Sequence, residues 1–528
     1  MNGPLSTSLN TVPQEVLEHI AYFTGTDDFL GPPSSIIPLL LTNRHIHTNL
    51  SIVANHHLYA RIFADKFDTA APLARFGEDR LTAPALAGEL RRRCMVLHRL
   101  RTRTDSTTHA RHADGAEEKT TLCDILFTVY VMLIENEGRN KRQLVEYGQA
   151  KEWIQEFWFD PHGSSLAIYN IRIGQWPLNR IENALGMWIF WFLLSNNDTI
   201  AGSNDSVESP LSILKAMALG AHIYNLTAVP WTEFESTPVL NQFPAYTTLY
   251  SERLELDPPP LATPAILSFL SLINKKRSIP LPPCDAVLPE YPFQEWDSEW
   301  GRCLSKPRKD FSNCFRPGSI EGVWEGFFTY TEFVAYAALL AGAPPPVIQK
   351  SVVGRHQQTW KLREHHLIIA DPPDSDSGIS IEPDVFTPLR AGDPLRSYFP
   401  TGTQITERRE GLTVEDLANG QSYQYERATV SEIRRRNEQK LDVIVQDIIV
   451  TGEGHSAWGQ FNIVGRIRPS DGFISLSKDY MDGDRGKWLY RGYLVGNANG
   501  NLGGRWRDTL SPSDVPGYEG CFVMSRRR

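Results

Sequence analysis

The chain has 528 residues, of which 41% are hydrophobic and 22% are charged, and its formal net charge at pH 7 is −9. The apolar content excludes a wholly disordered chain, and the length predicts about three folded domains. The negative charge argues against a nucleic-acid-binding protein, because phosphate binding needs a clustered cationic face.

The cysteine usage and the apolar segments indicate where such a protein would work. The six cysteines are scattered and form no CxxC pair, which is typical of a reducing compartment. The N-terminus lacks the basic and apolar regions of a secretory signal. The most apolar stretch, 184–194, is far shorter than the ~20 residues that span a membrane. We therefore expect a protein of the cytoplasm or nucleus with no membrane partner.

The first 310 residues have mostly helical periodicity. We predict a helical module at 8–68, followed by a mostly helical middle region at 69–310 that contains a polar linker at 102–120. Apolar residues recur at helical spacing in four middle segments: 121–138, 142–159, 181–194 and 209–226. The stretch from 279 to 318 is rich in proline, which predicts an extended connector.

The C-terminal third has strand periodicity. Eight strands are predicted: 322–333, 359–369, 441–452, 459–469, 472–480, 487–496, 501–508 and 519–527. The last five follow one another through short turns, which predicts an antiparallel meander. With about eight strands, a closed or nearly closed barrel over 318–528 is the favoured architecture, because closure removes exposed edges. A β-sandwich is the alternative. The whole chain is thus predicted to be an α+β multidomain protein.

Alternation along the strands separates two faces. Phe461, Ile463 and Ile467 lie on one face of their strand, opposite Arg466 and Arg468. Several strands also contain glycine, which weakens a β-ladder. Tight bends of a barrel would explain these glycines, and so would a ligand or peptide lying close to the backbone.

Motifs for catalysis and metal binding are weak. GHSAWG at 454–459 is one residue longer than a nucleophile elbow and lies between strands, and neither a P-loop nor HExxH occurs. His45, His47, His56 and His57 lie close together in sequence, but a helix points neighbouring side chains apart and no cysteine is near. We expect no catalytic centre, no metal and no cofactor. We interpret these histidines as solvated or capping side chains, with a pH-dependent switch as the alternative.

The sequence of one loop, residues 375–380, suggests the hypothesis that its serines are phosphorylated. SDSGIS at 375–380 lies in an acidic, proline-flanked stretch and resembles a doubly phosphorylated degron, although the spacing of its serines is one residue short. An ordinary solvated loop is the alternative.

The N-terminal module resembles an F-box. LNTVPQEVLEHI, residues 9–20, has the hydrophobic residue, the proline and the apolar helix face of that family, and SSIIPLLLTNRHIHTNLSIVANHHLYARIFADKF resembles its second half. The segment TGTDDFLGPPS lengthens the connection between the two parts. The resemblance implies binding to a Skp-type adaptor and a cullin of a ubiquitin ligase. The residues that it assigns to adaptor binding are Val12, Pro13, Val16, Leu17, Ile20, Leu40 and Leu41.

The C-terminal region carries a second resemblance. Three segments look like the C-terminal region of a group of fungal F-box proteins: GEGHSAWGQFNIVGRIRPSDGFISLSKDY, KWLYRGYLVG and NLGGRWRD. The spacing of glycines and aromatic residues along these strands is also similar to that of lipocalin-like barrels attached to some animal F-box proteins. In such a protein the barrel would recruit a protein substrate. Aromatic and arginine side chains are common interface residues, so our candidates for substrate binding are Trp324, His455, Trp458, Arg466, Trp488, Tyr490, Arg505 and Trp506.

These observations lead to one functional expectation and two rivals. We expect a non-catalytic substrate receptor of an SCF-type cullin-RING ubiquitin ligase. A small-molecule-binding barrel is one rival, and a lumen filled completely by side chains would remove it. The other rival is a scaffold that acts outside any ubiquitin ligase.

Overall fold

The computed structural model describes most of the chain in two compact units. The described residues are 12–109, 121–195, 206–235, 245–257, 259–274, 292–304, 314–370, 388–429, 443–483, 485–497 and 500–527. The first unit consists of Met1–Ser164 with Tyr246–Leu254 and Val287–Gln294, and the second contains the rest. The predicted module 8–68 therefore shares a unit with the helices that follow it, while the predicted middle region is divided between the two units.

The first unit is helical. Its elements are α1 (Gln14–Thr26), α2 (Ile37–Leu40), α3 (Arg44–Leu50), α4 (His56–Lys66), α5 (Ala70–Phe76), α6 (Ala83–Arg101), α7 (Leu122–Ile134), α8 (Arg139–Arg142), a π-helical turn at Gln143–Tyr147, and α9 (Ala150–Phe159). Side chains cap two of the early helices. Asn43 accepts from the backbone N–H of Ile46, and Asn55 accepts from that of Leu58. Such caps satisfy N–H groups that a helix leaves unpaired at its start.

The segment that lengthens the N-terminal module is packed against neighbouring helices. The Gln143 side-chain amide donates to the backbone O of Phe29 at 2.7 Å and accepts from the N–H of Gly31 at 2.7 Å. The Arg142 guanidinium lies 4.6 Å from the centroid of the Phe29 ring. The insertion is thus held by the π-helical turn, a contact that the sequence pattern does not indicate.

The second unit combines helices with most of the strands. A hairpin of β1 (Ala245–Leu249) and β2 (Glu252–Leu256) belongs for the most part to the first unit, which includes Tyr246–Leu254. The helices of the second unit are α10 (Ala167–Arg172), α11 (Ile181–Leu193), α12 (Pro210–Leu219), α13 (Ala262–Ile273), α14 (Asp297–Leu304), α15 (Phe333–Leu340) and α16 (Pro345–Lys350). Helix α14 lies within the stretch predicted to be an extended connector, because none of the prolines of that stretch falls inside its eight residues.

Eight strands form a closed antiparallel barrel. They are β3 (Gly322–Thr331), β4 (Val353–Ala370), β8 (Val443–Ser456), β9 (Gly459–Ile467), β10 (Ile474–Tyr480), β11 (Lys487–Val495), β12 (Asn501–Asp508) and β13 (Glu519–Arg526), and each matches a predicted strand. Strand β3 pairs with β13 on one side and with β4 on the other. The pairing of β4 with β8 completes the circle, which confirms the barrel and excludes the sandwich.

A small meander missing from the predictions covers part of the barrel. It consists of β5 (Thr403–Glu407), β6 (Gly411–Asp416) and β7 (Gln421–Arg427), and β7 joins the end of β4. Leu412 and Val414 of this meander pack on Ile449, which points outward from the barrel. The meander is short and polar, so its alternation is weak in the sequence.

Inward side chains form the core of the barrel, and glycines let its strands approach. Phe461, Ile463 and Ile467 belong to the buried core, as the alternation predicts. A Cβ added at Gly492 would lie 2.2 Å from the backbone O of Gly503, and one at Gly503 would lie 2.8 Å from the Leu267 side chain of α13. Close contact with a neighbouring strand and a packed helix therefore accounts for these two glycines.

Buried arginines on the outer wall of the barrel hold its covering segments. Arg466 pairs with Asp447 at 2.8 Å and donates to the backbone O of Leu389 at 2.8 Å and of Tyr398 at 3.0 Å. Arg505 donates in the same way to the backbone O of Tyr224 at 2.7 Å. The guanidinium is suited to this role because its five N–H groups can satisfy several acceptors at once.

No helix in the described ranges is long and apolar enough to cross a bilayer. Cys94 and Cys521 form no disulfide.

We expect Arg466→Met to destabilise the second unit by about 3–5 kcal/mol, because it leaves the Asp447 carboxylate buried without its partner. Urea unfolding followed by tryptophan fluorescence measures the change. Arg408→Met, at an exposed position near β6, is the matched control and should leave the midpoint unchanged. Equal stability of the two variants would mean that the buried pair does not hold the covering segment.

Candidate functional site

Helix α1 has two apolar stripes, and one of them faces solvent. Leu17 and Ala21 point into the core of the first unit, where Leu17 is only 1% exposed. Val16 and Ile20, which lie one helical turn apart, are 46% and 42% exposed. Phe23 continues the exposed stripe. The stripe therefore leaves large apolar side chains without cover on the surface of this unit.

The other residues predicted to bind an adaptor are divided between surface and interior. Leu41, which follows α2, is 76% exposed, and Pro13 is exposed at the start of α1. Val12 and Leu40 are half-buried. The structure thus leaves Pro13, Val16, Ile20 and Leu41 accessible, whereas Leu17 belongs to the core.

A second candidate site lies at one end of the barrel. This end is formed by the β8–β9, β10–β11 and β12–β13 turns together with the end of β3. The opposite end is closed by Phe315 and Ile320, which pack on the core beside Trp324 and Trp360. Side chains therefore fill this end of the lumen, and a cavity remains at the other end.

The cavity has a volume of about 160 Å³ and an almost entirely aromatic lining. Four of the residues predicted to bind substrate, Trp458, Trp488, Tyr490 and Trp506, line it together. The remaining lining residues are Phe328, Tyr330, Lys478, Tyr480 and Tyr518. Trp458 and Trp488 are only half-buried and Tyr330 is exposed, so the cavity is open to solvent on the side of these residues.

Hydrogen bonds to the barrel fix the orientation of the aromatic rings. The indole N–H of Trp506 donates to the backbone O of Thr329 at 2.8 Å, and that of Trp488 donates to the backbone O of Arg485 at 2.9 Å. The Tyr518 hydroxyl donates to the backbone O of Thr331. Because these polar atoms are satisfied within the barrel, the rings present apolar faces and edges to the cavity.

Lys478 is the one cationic side chain in this lining. It is 1% exposed, and its Nζ lies 3.9 Å from the Phe461 ring centroid and 4.7 Å from the Tyr480 ring centroid. Its hydrogen-bond partner is the side-chain O of Gln358, at 3.3 Å. No carboxylate in the described part of the chain lies within ion-pair distance of Nζ.

Burial dominates the electrostatics of this lysine. Loss of hydration lowers the pKa of Lys478 to about 7, since no neighbouring negative charge stabilises the ammonium. The faces of the surrounding rings favour the charged form and offset part of this cost. At neutral pH the group is therefore poised between its charged and neutral forms, unlike an ordinary lysine.

The other four residues predicted to bind substrate lie elsewhere in the second unit. Trp324 is fully buried in the filled half of the lumen, where its indole N–H donates to the backbone O of Ile320 at 2.9 Å. His455 is exposed near the end of β8. Arg466 and Arg505 are buried on the outer wall, where their terminal guanidinium N–H groups donate to backbone carbonyls. None of the four lines the cavity.

Sequence reasoning missed Lys478, although a signal was present. In β10 the inward positions are Ile474, Leu476, Lys478 and Tyr480, so the lysine occupies a position that alternation assigns to the interior. A cation in the inward phase of a barrel strand is the feature to search for. What the alternation does not reveal is that this position faces the open half of the lumen.

The clustered histidines and the other ionisable groups form no metal-binding arrangement in the residues that the structure describes. His45, His47 and His57 are exposed, and His56 is half-buried at the start of α4. The residues 375–380, which resemble a degron, lie outside the described part of the chain.

Comparison with known proteins identifies no relative of this chain. No protein-family profile, curated protein or solved structure matches this chain. The fold and the two candidate sites therefore define a class of architecture only: a helical unit with an exposed apolar stripe, and a closed eight-stranded antiparallel barrel with an aromatic cavity that contains a buried lysine.

We expect Lys478→Met to stabilise the second unit by about 1–4 kcal/mol at pH 6–7, because it removes a poorly compensated buried cation. The gain should shrink as the pH rises from 7 to 10. Over that range the unfolded chain, with an ordinary lysine pKa of about 10.4, binds a proton that the folded protein has released, so the lysine costs progressively less.

Urea unfolding at pH 6, 7, 8.5 and 10 measures this dependence. The matched control is Lys487→Met on the neighbouring strand, where the lysine is exposed and pairs with Asp479 at 3.0 Å. A gain for Lys478→Met that is the same at every pH would show that the lysine is not desolvated in the folded protein.

Proposed function

We propose that this protein is the substrate receptor of an SCF-type cullin-RING ubiquitin ligase, with the helical unit docking on a Skp-type adaptor and the barrel holding a protein substrate. The observation that carries the proposal is the exposed apolar stripe of α1, formed by Val16, Ile20 and Phe23, on a module whose sequence resembles an F-box. An adaptor that covered this stripe would remove apolar surface from water, which is a main driving force of protein association.

The division within α1 supports a docking role for the exposed stripe. Leu17, Ala21 and Gly25 already supply a full inward face, so the outer stripe is not needed for the module's own core. Leu41 adds an exposed leucine after α2. Apolar side chains in this number on one short module are typical of a protein-binding surface.

The mechanism we propose is proximity without catalysis. The adaptor and cullin would hold this protein beside a charged conjugating enzyme, and the barrel would keep the substrate there at a high effective concentration. The receptor itself needs no nucleophile, metal or cofactor for this task. The proposal places the protein in the cytoplasm or nucleus, where these partners act.

A second candidate function rests on the cavity of the barrel. Because half of the lumen remains open, a small-molecule-binding barrel is still a rival of the protein-recruiting role. The two functions differ in what they require. A ligand carrier would work without an adaptor, whereas a substrate receptor would not.

Affinity purification of the tagged full chain from a eukaryotic cell tests the docking proposal. Wild type should retain the Skp-type adaptor and cullin, and an Ile20→Asp, Leu41→Asp double variant should lose at least 90% of both, because two carboxylates would be desolvated in the interface. Both positions are exposed, so the variant should fold.

The control is Leu73→Asp, on the exposed side of α5 and outside the proposed docking face, which should retain both partners. The proposal fails if wild type retains no adaptor, or if the double variant retains as much as wild type.

A further inference from the structure

The cavity at the barrel end pairs an apolar wall with a single buried cation. Three tryptophans, Trp458, Trp488 and Trp506, line it, and the buried Lys478 lies beside Phe461 and Gln358. The volume of about 160 Å³ is close to that of an engineered cavity of ~150 Å³ that holds benzene. One aromatic ring would therefore fill the enclosed space, while anything attached to it could extend through the open side.

The charge in the cavity limits the ligands that fit. Aromatic cages commonly bind cations, but the ammonium of Lys478 would repel one. A neutral apolar ligand would leave the buried ammonium without a counter-ion. A phosphate carries about −1.5 to −2 charges at pH 7, more than one ammonium neutralises in a cavity without a second cation. A single carboxylate matches the one positive charge that the lining offers.

We propose that this cavity binds a carboxylate carried on an aromatic or other flat apolar group, with the Lys478 ammonium as its counter-ion. The ring would pack among Trp458, Trp488 and Trp506, and the carboxylate would accept from Nζ in place of the long contact to Gln358, now 3.3 Å. A charge-assisted hydrogen bond of this kind, made in a water-poor site, is about twice as strong as one between neutral groups.

Two sources supply this chemistry. A small aromatic acid carries it, and so does the C-terminal residue of a polypeptide that ends in an aromatic side chain. If the protein is the substrate receptor proposed above, an aromatic C-terminal residue would be the feature of the substrate that the barrel recognises; this step rests on the proposed function. Binding to the purified chain needs no adaptor, so failure of adaptor docking and failure of carboxylate binding are separate results.

Proton uptake should accompany binding. Because the pKa of Lys478 is near 7 in the empty cavity, a bound carboxylate must raise it, and the affinity for acids should fall about tenfold per pH unit above pH 7. The other titratable groups facing this lysine are the phenols of Tyr480 and Tyr490, whose pKa values burial raises, so neither becomes charged in this range.

A histidine also lies beside two lining residues of the cavity, so its effect on the pH dependence of binding must be distinguished from that of Lys478. The His356 ring packs 4.9 Å from Trp458 and 5.5 Å from Phe328, both of which line the cavity. The pH series is therefore measured in a His356→Gln variant as well, where the dependence should persist.

Isothermal titration calorimetry on the full chain tests the proposal with 3-(indol-3-yl)propanoate, its primary amide, and a short peptide that ends in Trp with a free or an amidated carboxyl terminus. At pH 6.5 we expect at least one free acid to bind ten times more tightly than its amide. Lys478→Met should lose at least tenfold in affinity for that acid, and the exposed control Lys487→Met should not change it.

Each calorimetric result either supports or overturns the binding of a carboxylate at Lys478. Preferred binding of the small acid identifies a metabolite-like ligand, and preferred binding of the peptide acid identifies a polypeptide terminus; both support the inference. The inference is overturned if acids and amides bind equally, if Lys478→Met binds the acid as wild type does, or if no probe binds at 1 mM. Circular dichroism of Lys478→Met confirms that loss of binding is not loss of fold.

Discussion

Closure of the barrel by β3 is the constraint on which the second unit depends. This strand pairs with β13 at Phe522 to Arg526 and with β4 along its whole length, so none of the eight barrel strands is an edge strand. An eight-stranded barrel is just wide enough for side chains to fill. Whether such a barrel contains a cavity is therefore decided by a few inward side chains, and here they leave one half of the lumen open.

The two faces of the barrel wall use buried charge in opposite ways. On the outside, Arg466 has a carboxylate partner and several backbone acceptors, so its charge is compensated and stabilises the covering segment. On the inside, Lys478 has one weak acceptor and aromatic rings. A buried cation with so little compensation lowers stability, and sites of this kind are where function is to be sought. The exposed stripe of α1 is the corresponding unfavourable feature of the first unit.

Much of the architecture could be predicted because the barrel strands are local and periodic. The pattern of Phe461, Ile463 and Ile467 already separates inside from outside, and the short turns specify antiparallel neighbours. The candidate site was predicted only in part. Trp458, Trp488, Tyr490 and Trp506 meet at the cavity, but Arg466 and Arg505, chosen for the same general reason, lie on the outer wall. Residue type alone does not distinguish an interface arginine from one that holds a buried loop.

The sequence by itself determined the antiparallel succession of the last five strands, the inward and outward phases and the apolar character of α1, because these follow from short turns and from periodicities of two and 3.6 residues that are read over short distances. Only the tertiary structure decided which inward residues fill the lumen and which line its open half, and that Leu17 is buried while Val16 is exposed. These outcomes depend on segments far apart in the chain, such as Phe315 at one end of the barrel and Tyr518 at the other. The position of Lys478 within a ring of aromatics is of the same kind, since its neighbours come from four other strands, β3, β4, β9 and β11.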